Sequence, residues 1–242
     1  MRAAEADELG KRMAALIQIG RMAPAHALLE PILAQRTPFA LLDHIGAALA
    51  TDPPHAVNAL LEQIAAGGRE GGWVVIGSAL RAQLDQDQAG AFARCRDYIV
   101  AADVWYGADI LGERVPGPAL VAHFDPALSL LSPWRGDADR WVRRAVGVSA
   151  HYWAKRTRGG EPAQAEALLA FLEPMYEEWE MDAAKGVGWG LKTLGRYYPL
   201  LLAEWLARQA DRRPRALMRR KALTYLSAEQ REQALQGGSP TP

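Results

Sequence analysis

Trp105 and Asp109 stand four residues apart in the stretch Val104-Trp105-Tyr106-Gly107-Ala108-Asp109. On a helix that spacing puts both side chains on one face. An aromatic ring offers its negative face to a cation, and a neighbouring carboxylate adds a full negative charge at close range. Together they make a seat for positive charge. Taken alone, the pair reads first as a core tryptophan followed by a solvated turn aspartate, so only its surroundings can overturn that reading.

The charge pattern supplies the first of those surroundings. Lys and Arg total 28, as do Asp and Glu, so the net charge is zero and carries no global nucleic-acid or membrane signature. The charges are unevenly placed, however. Arg135 to Lys221 holds 17 basic and 11 acidic residues, against 11 and 17 elsewhere, so the basic part is able to face a polyanion. A lone cysteine, Cys95, excludes an internal disulfide, offers no metal-ligand spacing and fits a small core residue in a reducing cytoplasm. No stretch nears ~20 uninterrupted apolar residues. The first ten residues carry Glu5, Asp7 and Glu8 where a signal peptide would be basic and then apolar. The expectation is a soluble, cytoplasmic protein, nucleoid-associated in a bacterium.

The elements that must position the pair are helical. Apolar residues recur at three and four, and Ala and Leu outnumber β-branched residues. Met13, Leu16 and Ile17, then Met22, His26, Leu29 and Leu33, predict two helices broken around Gly20 to Pro24. Leu41, Leu42 and Ile45 predict a third and Leu60, Leu61 and Ile64 a fourth, with Thr51-Asp52-Pro53-Pro54 as stop and start between them. Residues 67–72 read as a turn, with helices over 73–84 and 88–101 beyond it. Asp137 or Asp139 caps a helix running to about Lys155, and Glu161 or Pro162 opens the next, which Pro174 stops. Helices follow over about 181–195, 198–209 and 214–226, then a short one behind a Ser227/Gln230 capping box, and a frayed tail over 237–242. One domain spans 1–236.

Aligning Val104-Trp105-Tyr106-Gly107 with Arg144-Ala145-Val146-Gly147 and Lys185-Gly186-Val187-Gly188 spaces three glycines by 40 and 41 residues. HEAT-type helical-hairpin repeats recur at about 40–47 residues. The predicted fold is therefore all-α, a superhelical solenoid of HEAT-like antiparallel helix pairs. Its second helices would line a concave trough bearing Trp105 and Asp109, Trp141, Arg143 and Arg144, Lys185, Trp189 and Lys192, extended by Arg215, Arg219, Arg220 and Lys221. Basic side chains there suit a phosphate backbone. Asp109 among them repels phosphate and so asks for a cationic target.

Four segments carry a likeness beyond this pattern. Trp105 to Asp109 matches a Trp-x-x-x-Asp catalytic helix. Trp141-Val142-Arg143-Arg144-Ala145 matches a Trp-x-x-Arg-Ala segment, Lys185-Gly186-Val187-Gly188-Trp189 a Lys-Ala-Ile-Gly-Trp segment, and Arg219-Arg220-Lys221-Ala222 an Arg-Glu-Ala closing helix. On these, from about Cys95 to Glu232, the chain resembles the HEAT-like-repeat DNA alkylation repair enzymes, the AlkD-type alkylpurine DNA glycosylases. It departs from their pattern at Val104 and Tyr106, and its first aromatic is Phe39.

The resemblance implies excision of cationic bases such as 3-methyladenine and 7-methylguanine from duplex DNA, by a monomer without metal or cofactor. It implies Asp109, Trp105 and Trp189 as catalytic residues and Arg144 as support for the lesion site. Arg143, Lys185, Lys192, Arg215, Arg219, Arg220 and Lys221 would bind DNA with it. The rival reading is a non-catalytic HEAT-like module for damaged or branched DNA, and a protein-binding scaffold comes third because it leaves Asp109 beside Trp105 without a purpose.

Other constellations are set aside. Gly186 to Gly190 has neither the preceding strand nor the Gly-Lys-Ser/Thr of a phosphate loop, and reads as close helix packing. The histidines at 26, 44, 55, 123 and 151 lack ligand spacing and read as structural or surface groups. Glu173, Glu177, Glu178, Glu180 and Asp182 read as a solvated convex face. Trp134, Trp153, Trp179 and Trp205 read as packing residues.

Overall fold

A computed structural model describes residues 1–49, 51 and 53–236. The predicted tail at 237–242 and Asp52 of the Thr51 to Pro54 stop lie outside the described residues. Everything described is helix, turn or coil, with no strand among the described residues. The chain divides into two compact units, Met1–Val115 and the remainder from Pro116 on.

The first unit comprises α1 (Ala3–Gln18), α2 (Met22–Leu33), α3 (Phe39–Ala47), α4 (Asn58–Ala66), α5 (Glu70–Arg81), α6 (Gln88–Ala102) and α7 (Trp105–Arg114). Helices α1, α3, α5 and α7 pack each on the next in one row, and α2, α4 and α6 form a second row against it. The fully buried Met13, Leu29, Leu42, Ile45, Leu60, Leu61 and Ile76 fill the space between the rows, the packing expected of stacked helix pairs.

The second unit repeats the two-row scheme. Its elements are α8 (Pro116–Ala122), α9 (Phe124–Leu131), α10 (Arg140–Thr157), α11 (Pro162–Leu172), α12 (Met181–Tyr197), α13 (Pro199–Arg208), α14 (Ala216–Ala222) and α15 (Ala228–Gln236). Helices α8, α10, α12 and α14 make one row, and α11, α13 and α15 the other. The capping signals work as the sequence implies. Asp139 accepts from the Trp141 and Val142 amides at 2.8 and 3.1 Å, and Gln230 and Ser227 exchange the two bonds of a capping box at 2.9 and 3.2 Å.

The closest helix pair is α10 against α12, and glycine makes it possible. A Cβ on Gly186 would sit 2.5 Å from the Arg144 carbonyl oxygen, and one on Gly190 would sit 2.6 Å from that of Gly147. The two backbones therefore touch without side chains between them, as the packing reading of Gly186 to Gly190 requires. The three glycines of the 40-residue period do not share one role: Gly147 meets α12, Gly188 admits Lys221 of α14, and Gly107 packs against Ala102 at the α6–α7 turn.

Two sequence-level boundaries need correction. Helix α5 starts at Glu70, three residues before the predicted start, and Gly71 and Gly72 fit closely under Leu42, Leu33 and Ile64, where a Cβ would make these side chains shift by a few tenths of an ångström. Helices α8 and α9 lie where the sequence pattern assigns no element. Their prolines, Pro116, Pro118 and Pro126, each lie in a first turn, where a missing N–H costs nothing.

Candidate functional site

Helix α7 starts at Trp105 because the chain reverses just before it. Asp103 closes α6 in the left-handed region (φ 41°) and Val104 is extended, a conformation that aspartate tolerates better than most side chains. Gly107, Ala108, Ile110, Leu111 and Gly112 bury the opposite face. Trp105 is left 55% exposed, with Asp109 half-buried one turn further along the same face. Tyr106 meets Trp105 edge to face, with ring centroids 5.7 Å apart, which steadies an otherwise uncovered indole. Glu113 continues that face one turn beyond Asp109. Sequence reading passed over it, although its i, i+4 spacing from Asp109 signals a second carboxylate.

The far end of α7 is anchored. Arg114 reaches Asp43 of α3 through Nε at 2.7 Å and Nη2 at 3.1 Å. Ser78 of α5 donates to the same carboxylate at 2.6 Å, and the Arg114 stem lies against Gly77. Three helices of one row thus meet at Asp43, and the bidentate geometry fixes the direction of α7.

In the second unit, Trp189 of α12 is half-buried and stacks on His151 of α10, with centroids 3.9 Å apart and planes 26° from parallel. His151 Nδ1 lies 2.7 Å from Thr193 Oγ1, and Thr193 donates its own proton to the Trp189 carbonyl at 3.1 Å. The hydroxyl can then only accept from His151, so Nδ1 carries the imidazole proton. Burial, assisted by the nearby Lys155 charge, lowers the His151 pKa to about 4, leaving the ring neutral at pH 7. The structural role set out for His151 holds, but its partner is a predicted site residue that spacing along the chain could not reveal.

The predicted basic residues divide by environment. Arg144 is buried and donates to the Asp182 carbonyl at 3.2 Å. Arg143 pairs with Glu178 at 2.7 Å and donates to the Asp137 and Ala138 carbonyls. Lys185 is exposed and pairs with Asp182 at 3.2 Å. Lys192 lies 5.4 Å from the exposed Tyr225 ring, which also receives Arg196 at 5.5 Å; neither Tyr225 nor Arg196 was foreseen. Arg215 covers Trp179, Arg219 and Arg220 are exposed, and Lys221 packs beside Gly188. Trp141 is buried with Arg140 over its ring.

Two set-aside readings change. Trp179 is 64% exposed rather than a packing residue, because it sits in the loop before α12 and not on a helix face. The acidic cluster is a set of fasteners rather than a merely solvated face. Glu173 pairs with Arg212, Glu178 with Arg143, and Asp182 with Lys185, while Glu180 caps α12. No metal-binding group of His, Cys, Asp or Glu occurs among the described residues. Trp134, Trp153 and Trp205 are buried as predicted, and so is Cys95, whose thiol burial keeps protonated.

A family model for "DNA alkylation repair enzyme" matches residues 40–226, most of the chain. The chain belongs to the DNA alkylation repair enzyme family. Comparison with curated proteins and with solved structures finds no match. The match covers all four segments that carry the sequence resemblance, and the all-α architecture is that of a family known for HEAT-like repeats. DNA is accordingly the substrate of a repair enzyme of this family. No helix among the described residues is long and apolar enough to cross a membrane.

Proposed function

We propose that this protein is a cytoplasmic, monomeric and metal-free DNA glycosylase that excises cationic N-alkylated purines from duplex DNA. The observation that carries the reading is the α7 face: an indole 55% exposed at the helix start, with a half-buried carboxylate one turn away. An exposed tryptophan beside a carboxylate is poorly explained by packing and well explained by a cationic ligand.

Alkylation at N3 or N7 leaves the purine positively charged, so the bond from C1′ to N9 breaks with its electron pair moving to the base. The base departs neutral and the sugar becomes oxocarbenium-like. Trp105 stabilises that charge through its ring face, worth about 0.5–2 kcal/mol, and the family resemblance implies the same kind of role for Trp189. Asp109 adds charge stabilisation and accepts the proton of the water that attacks C1′, a role worth about 10²–10⁴-fold. The products are the free purine and an abasic site bearing a C1′ hydroxyl. Exposed Lys185, Arg219 and Arg220 engage phosphates with Lys192, Arg143, Arg215 and Lys221, while buried Arg144 supports the lesion site.

Release of 7-methylguanine and 3-methyladenine from methylated duplex DNA tests the proposal. Release by the wild type, slowed in Asp109→Asn, is the expected result. Tight DNA binding with no release would replace it with the non-catalytic reading.

A further inference from the structure

Two adjoining features of the second unit lie beside the arginines proposed to hold duplex phosphates, and neither Trp179 nor Arg213 has a part in excision. The first is Trp179, with Arg215 lying 5.4 Å over its ring and also donating to Met181 Sδ. The second is a cavity of about 810 Å³ lined by Arg213, Arg219, Arg220 and Arg231 above Pro214 and Leu223, with no carboxylate in its wall. The segment Arg213 to Ala216 joins them, since Arg213 lines the cavity while Arg215 reaches the indole.

The cavity wall itself is positive, with four guanidinium groups and no carboxylate. In the neighbouring loop Glu173 pairs with Arg212, Glu178 pairs with Arg143, Glu180 caps α12, and Glu177 accepts from the Arg213 amide. Arg231 is tied to the Leu223 and Thr224 carbonyls and Arg219 to Tyr176, so these two guanidinium groups are held in place at the cavity wall. What fits is an anion with a flat apolar part. The guanidinium groups would take phosphates, and the indole, 64% exposed despite Arg215, would take a base.

We propose that this end of the protein binds an unpaired stretch of DNA strand, one base stacking on Trp179 and the adjoining phosphates entering the four-arginine cavity. Duplex DNA hides its base faces inside the stack and offers phosphates alone, whereas an unpaired strand offers both. The proposal uses neither Asp109 nor an alkylated base, so it stands or falls apart from the excision reading.

Fluorescence anisotropy of the full chain with a labelled, unmodified oligothymidine and with an unmodified duplex of equal length tests it. Trp179→Ala should weaken single-strand binding about 5- to 150-fold, with duplex affinity changing less than about twofold. Trp179→Phe should retain most of the single-strand affinity. Arg213→Glu should weaken single-strand binding and flatten its log–log salt dependence by about 0.7 or more. Wild-type single-strand affinity in Trp179→Ala would overturn the proposal, as would an equal loss on the duplex. Trp179 and Arg213 are exposed, and an unchanged Tm excludes misfolding as the cause of any loss.

Discussion

His151 and Trp189 lie ring on ring, 3.9 Å apart, and Thr193 ties the imidazole to the tryptophan's own carbonyl. The orientation of the half-buried indole therefore depends on a neutral histidine. Protonation would place a charge in a buried site already near Lys155.

That dependence predicts a pH effect on stability. The folded state holds His151 at about 4, below the ordinary 6.5. Between those two values the unfolded chain binds a proton that the folded chain refuses, so stability falls as pH drops through the window and levels off below about 4. The loss is on the order of 3 kcal/mol at most. Urea unfolding at pH 7, 5.5 and 4.5 should give His151→Gln a shallower decline than the wild type. Parallel declines would refute the buried neutral imidazole.

On α7, Asp109→Asn should slow excision about 10²–10⁴-fold while DNA affinity stays unchanged or rises. Trp105→Ala should cost about 2- to 30-fold in rate. Because Trp105 is more than half exposed, its loss should alter stability by less than about 0.5 kcal/mol. Single-turnover release of 7-methylguanine, paired with thermal melts, separates the two effects; an unaffected rate in Asp109→Asn would sink its assignment.

The α10–α12 approach predicts a strong response to a single methyl group. Gly186→Ala brings a Cβ to within 2.5 Å of the Arg144 carbonyl oxygen and should cost about 1–3 kcal/mol, lowering Tm by several degrees. Gly136→Ala meets nothing within 4 Å and should stay within about 0.5 kcal/mol of the wild type. Equal melting temperatures for the two variants would contradict backbone contact between the helices.

Asp43 joins α3, α5 and α7 through Arg114 and Ser78. Asp43→Ala strands a largely buried guanidinium and should cost about 1–2 kcal/mol, a figure reduced because the carboxylate is 40% exposed. Asp43→Asn, which can still accept hydrogen bonds, should recover part of it. Denaturant unfolding of both variants measures the difference, and an undiminished stability in Asp43→Ala would remove the anchor from the account of α7.

The helical class, the caps at Asp139 and Ser227, the 40-residue period and the Trp105/Asp109 pair are all legible in the sequence. Each rests on interactions between residues a few positions apart, and a local pattern records those directly. The family likeness is legible too, because its four segments are short and ordered along the chain.

What lay outside the sequence's reach has one physical cause: contact between residues distant along the chain. His151 and Trp189 are 38 positions apart, and only the touching backbones of α10 and α12 bring their rings together. Asp43 and Arg114 are 71 positions apart. The glutamates before α12 look like a solvated run until their arginine partners arrive from α10 and the α13–α14 loop. Trp179 looks like core until the fold leaves it on a loop in solvent. The residue types told which chemistry was available, whereas burial and partnering, set by tertiary packing, decided which side chains were left open to a ligand.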